Sequence, residues 1–104
     1  MADKPSKIKQ LVLDVLKPHK PSIHLLAQQL VELEGSGILG VNVTLLETDR
    51  STQSIKITIR GENLNFEMIA EKLEEMNAAV HSIDQVVCGD ILVEDVKTPQ
   101  DRGG

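Results

Sequence analysis

The sequence predicts an α+β domain with elements in the order β-α-β-β-α-β, on three observations. "SIKITIR" alternates Ile55, Ile57 and Ile59 with Lys56, Thr58 and Arg60, the period of a half-buried strand. Two other stretches repeat apolar residues at helical spacing, each behind a good N-cap residue. Turn-forming breaks separate these stretches, and the second half of the chain echoes the first.

The elements follow in order. Residues 1–6 read as a loose lead-in. Strand one runs from Ile8 to Leu16, because Pro18 cannot donate to a ladder and biases Lys17 toward extended geometry. Ser22 is the N-cap of a first helix whose stripe is Ile23, Leu26, Ala27, Leu30 and Val31. "EGSG", residues 34–37, ends it. Strand two is "ILGVNVTLLETD", with Val41, Val43 and Leu45 alternating with Asn42 and Thr44. "TDRST" connects it to strand three as a hairpin. Asn65 caps a second helix, with Leu64 and Ile69 spaced as a hydrophobic staple and a stripe of Phe66, Ile69, Ala70, Leu73 and Met76. Strand four starts near Val80 and reaches Val87 or beyond. This order is the ferredoxin-like split βαβ pattern. Right-handed crossovers place both helices on one face of a four-stranded antiparallel sheet in the order 4-1-3-2. Residues 1–96 form the single domain and 97–104, "KTPQDRGG", a flexible tail.

Composition bounds the function. The 104 residues suit one domain, and a core drawn from a 40% hydrophobic chain is almost wholly aliphatic, since Phe66 is the sole aromatic residue. The formal charge of −5 repels phosphate backbones, and the central strands lack the aromatics on which RNA bases stack, so no nucleic-acid partner is expected. Cys88 stands alone, which excludes an intrachain disulfide and a thiolate metal cage. Without an apolar leader or a spanning run, the chain reads as soluble and cytoplasmic, with no membrane partner.

The strand "LVLDVLKPHKP" (residues 11–21) carries a carboxylate near its middle. Strand parity accounts for it. Leu11, Leu13 and Val15 point toward the helices, which leaves Val12, Asp14 and Leu16 on the open face with Asn42, Thr44, Leu46, Lys56, Thr58 and Arg60. An unpaired carboxylate costs several kcal/mol once covered, so Asp14 needs a partner. One reading is an ion pair with Lys56. The other is a hard divalent cation, such as calcium, held by Asp14 and Asp84. Val86, Val87 and Cys88 make strand four apolar on both sides, which implies a second cover. A homo-oligomer supplies one, with Val12, Leu16, Leu46, Val86, Ile91 and Val93 at the interface. "KPHKP" reads as a solvated basic loop, with Lys17, His19 and Lys20 a weak anion site ahead of the first helix.

"LVLDVLKPHKP", "GILGVNVTLLETD" and "HSIDQVVCGD" together resemble the archaeal proteins called domain of unknown function 211, over nearly the whole chain from Ile8 to Asp95. The resemblance implies a small ferredoxin-like domain assembling into ring-like homo-oligomers, with calcium association, and no established activity. The sequence is therefore read as a non-catalytic homo-oligomeric module that binds a ligand or cation and has a regulatory character. The alternative is a small enzyme with its site at a subunit junction, using His19, Lys20 or His81 with Asp14.

Overall fold

The computed structural model describes residues 6–97. The expected lead-in over 1–6 and tail over 97–104 lie almost entirely outside the described residues. The elements are β1 (Ile8–Pro18), α1 (Ile23–Val31), β2 (Ile38–Thr48), β3 (Thr52–Gly61), α2 (Phe66–Glu75) and β4 (Ala79–Cys88). The sheet order is β2-β3-β1-β4, the predicted order read from the other edge, and every pairing is antiparallel.

Local chemistry explains the boundaries. Ser22 and Asn65 are both N-caps, accepting from the backbone N–H of Leu25 and of Met68. Leu64 and Ile69, the staple pair, are both buried. β1 runs two residues past its predicted end. Pro18 occupies its last position, opposite Thr52, where a missing N–H is tolerated. α1 ends on the last residue of its apolar stripe, Val31, which remains exposed at the helix end.

Leu11, Leu13 and Val15 of β1 and Ile55, Ile57 and Ile59 of β3 meet Leu26 and Leu30 of α1 and Ile69 and Leu73 of α2 in one core cluster. Both helices therefore cover the same sheet face. A strand alternates faces every residue, so the even-numbered residues of β1 and β3 must face away from the helices. The helix connections are tied together at one corner. Ser36 is fully buried, its hydroxyl donates to the Leu33 carbonyl at 2.7 Å, and its own carbonyl accepts from Asn65 N–H at 2.9 Å.

Candidate functional site: the open sheet face

The register defines this face row by row. Gln10 stands opposite Arg60, Val12 opposite Thr58, Asp14 opposite Lys56, and Leu16 opposite Ser54. On the β2 side, Gly40, Asn42 and Thr44 oppose Arg60, Thr58 and Lys56. On the β4 side, Gln85 opposes Val12 and Ser82 opposes Asp14. Asp14 thus lies on the open face, beside Lys56, as parity predicts.

Its closest ionic contact is elsewhere. The Asp14 carboxylate lies 3.4 Å from Nδ1 of His81, and among the described residues no ion pair joins it to Lys56. The cause is a pair of bulges in β4. The partners of β1 step from Gln85 to Ile83, which leaves Asp84 as an extra residue, and from Ser82 to Val80, which leaves His81 as another. A bulge re-aims its extra side chain. His81 is brought to Asp14, while Asp84 accepts a hydrogen bond from the Ser82 hydroxyl at 2.7 Å. A third irregularity, between Leu45 and Glu47, makes Leu46 an extra residue of β2. Leu46 therefore has no direct partner on β3.

One polar chain was not foreseen. Arg60 Nε donates to Gln10 Oε1 at 2.6 Å, and Gln10 Nε2 donates to Gln85 Oε1 at 2.6 Å. This links β3, β1 and β4 across the open face at the end opposite Leu16. The residues are far apart in sequence, and only the register could have paired them.

The "KPHKP" segment differs from the solvated basic loop its composition suggests. Lys17 is only 1% exposed. Its ammonium donates to the carbonyls of Pro18 at 2.7 Å and His19 at 3.4 Å and to Gln53 Oε1 at 2.9 Å. Burial among neutral acceptors pushes its pKa below the usual lysine range. Its ammonium is held by these three acceptors at the end of β1. His19 Nε2 lies 2.7 Å from the Asp49 carbonyl. A carbonyl only accepts, so Nε2 carries the hydrogen. Lys20 is the exposed cation of this loop.

Asp49 anchors the β2–β3 turn. Its carboxylate accepts from the backbone N–H of Thr52 at 2.9 Å, that of Ser51 at 3.1 Å and the Thr52 hydroxyl at 3.0 Å. The Thr52 backbone bond, followed by the Ser51 bond, holds its pKa below the ordinary carboxylate value. A depressed carboxylate stabilises the fold above its unfolded pKa of about 4 and loses that contribution as pH falls through the folded value. Asp49→Asn is therefore expected to be less stable than the parent at neutral pH, and acidification below about pH 4 should narrow the gap. Urea midpoints of the two proteins across that range test it. A gap that stays constant with pH would assign the turn's stability to something other than this carboxylate.

The predicted interface residues are well placed for contact. Leu16, Leu46, Val86, Ile91 and Val93 are exposed, and Val12 is half-buried. Val87, on the open-face side by its pairing with Gln10, is nearly buried yet stands outside the core cluster. Val93, Glu94 and Asp95 line a hollow of about 310 Å³ with Asp84, Gln85, Val86 and Val87, so the chain after β4 folds back beside that strand. Among the described residues no group of three or more His, Cys, Asp or Glu side chains is arranged to hold a metal ion. No helix of the described residues is long and apolar enough to cross a membrane.

An antiparallel four-stranded sheet with two helices on one side and a mixed polar and aliphatic surface on the other defines a ferredoxin-like α+β domain. Residues 9–102 match the DUF211 family, described as uncharacterized ArCR. The chain is 48% identical over 95 residues to the uncharacterized protein MJ0319 of Methanocaldococcus jannaschii, covering 91% of this chain and 96% of that protein. It belongs to the DUF211 family.

Proposed function

We propose that this protein is a non-catalytic module that assembles with copies of itself and holds a small ligand or a cation. The observation that carries the assembly is the amount of aliphatic side chain left in water. Leu16, Leu39, Leu46, Ile83, Val86, Ile91, Leu92 and Val93 are all exposed in the single chain. So many exposed aliphatic side chains on a small domain favour an interaction site, even though they lie on more than one side of the sheet.

The location of this surface narrows the partner. β4 is an edge strand of ten residues. Its first half is blunted by bulges at His81 and Asp84, both of which carry ionisable side chains. Residues 85–88 carry no charge, the register shift at their end falls on Lys9 of β1, and they lead toward the apolar run Ile91–Val93. An unprotected apolar edge is a template for another chain. A second copy offers matching edges in its own β2 and β4.

For the cation, each chain supplies Asp14 and Asp84. Calcium takes six to eight oxygens. A calcium site built on these carboxylates draws its remaining oxygens from water, from carbonyls or from a neighbouring copy. A regulatory role rests on analogy with other small domains of this fold. The enzyme alternative has one observation in its favour, the Asp14–His81 contact, since a carboxylate orients an imidazole that acts as a base. Among the described residues no thiol is hydrogen-bonded to His81, nor any hydroxyl, so the base has no nucleophile to activate.

Native mass spectrometry of protein purified without chelator is the direct test. The expected spectrum shows a multiple of the 11.4 kDa chain mass, with any retained ion visible as added mass. A single-chain mass at micromolar concentration would refute the proposal.

A further inference from the structure

The corner of the sheet where β1 and β2 begin and β3 ends contains a second feature, formed within one chain. Lys9, Leu39, Gly40, Arg60, Gly61 and Glu62 line a hollow of about 450 Å³ there, and the segment Asp90, Ile91 and Leu92 closes its side. That volume falls in the range of small-molecule sites. Its lining has two cations, two carboxylates and three aliphatic side chains.

The charges are arranged unequally. Lys9 pairs with Glu62 at 3.3 Å. Arg60 uses Nε on Gln10, which fixes the guanidinium in place. Among the described residues its terminal nitrogens have no partner, and neither has the Asp90 carboxylate. One anchored cation and one carboxylate of opposite sign are thus available on a partly apolar surface.

Gly40 is the second, independent observation. It sits in β2 directly opposite Arg60. A Cβ built there meets nothing within 4 Å, and its backbone is not left-handed. Crowding does not demand glycine at this position, which stands beside the register shift between Ile38 and Gly40. Glycine in a strand weakens it and often marks a bulge, as at this register shift, or close approach by a ligand or another backbone. Here the missing side chain opens the floor of the hollow.

We infer that this hollow binds a small zwitterion with an apolar body, the chemistry of a free aliphatic α-amino acid. The ligand carboxylate meets the Arg60 guanidinium, its ammonium meets Asp90, and its side chain lies against Leu39, Ile91 and Leu92. This names the ligand class for the ligand-holding part of the proposed function and rests on that reading; one chain supplies every lining residue.

Isothermal titration calorimetry of the full-length chain with L-leucine is the test, with leucinamide and N-acetyl-leucine as single-charge controls. L-leucine is expected to bind, and each control should bind about tenfold more weakly or worse, because each leaves one charged group unmatched. Gly40→Val should retain the fold and its mass, since the new side chain meets open space, but it should lose leucine binding. Arg60→Gln should abolish the preference for leucine over leucinamide. Absence of leucine heat in the parent, equal binding of leucine and its two derivatives, or unchanged binding by Gly40→Val would each overturn the assignment. Masses taken on the same samples keep the two proposals separable: a single-chain mass with leucine bound refutes assembly alone, and a multimer without leucine heat refutes this site alone.

Discussion

Gly61→Ala is expected to lower unfolding free energy by about 3 kcal/mol or more, a magnitude reserved for cores, strain and backbone collisions. A Cβ on Gly61 would run into the carbonyl oxygen of Gly37 and the side chain of Leu64. That carbonyl is not free to retreat, because it accepts the Glu62 N–H at 3.2 Å while Ile38 pairs with Gly61 across the strands. Gly37 is held from the other side as well. Its φ is +84°, and a Cβ there would collide with the Asn63 backbone. Two glycines thus let the α1–β2 connection and the β3–α2 connection cross at contact distance. Urea denaturation should show a lower midpoint with an unchanged slope. A midpoint equal to the parent's would show that the crossing yields easily and would remove these glycines from the account of the fold. Gly40→Ala is the internal control, because nothing surrounds its Cβ position and little loss is expected.

Val86→Asp combined with Val93→Asp is expected to reduce the proposed assembly to single chains. Val86 is 50% exposed and Val93 64% exposed, and both line the same hollow beside the end of β4. Burying an aliphatic side chain contributes about 1.5–3 kcal/mol, and an unpaired carboxylate in its place adds a desolvation cost. The pair together should weaken association by roughly a hundredfold or more. Neither residue belongs to the core cluster, so the fold should persist, as far-ultraviolet circular dichroism would show. Light scattering supplies the mass. An assembly unchanged in mass and dissociation constant would locate the interface elsewhere and defeat the edge-strand proposal. Neither position lines the Arg60 hollow, so leucine binding is expected to survive in the separated chains.

The sequence was most readable where local periodicity and burial agree. Ile55, Ile57 and Ile59 alternate with polar residues, and all three are fully buried under the helices. Ser22 and Asn65 cap their helices because a short polar side chain ahead of an apolar stripe has a local hydrogen bond to make. Asp14 was placed on the open face by the same period-two rule. Its partner was not readable. Lys56 is its register neighbour, but His81 reaches it through a bulge that no local residue pattern announces. Leu46 likewise stands at a bulge that local pattern does not announce.

Lys17 shows the other limit. A lysine between a strand and two prolines reads as solvated, since burying an ammonium is costly. Here two carbonyls and Gln53 converge on it from the ends of two strands, and the three acceptors make burial tolerable.

The sequence by itself determined the element order, the strand order, the two helix caps and the face on which Asp14 stands. These depend on short-range terms: side-chain alternation, capping and the handedness of crossovers. Only the tertiary structure decided the Asp14–His81 contact, the Arg60–Gln10–Gln85 chain, the glycine crossing and the Gly40 hollow. Each of these joins residues distant in the chain, and strand register with its bulges, set by the packing of the whole sheet, brings them together.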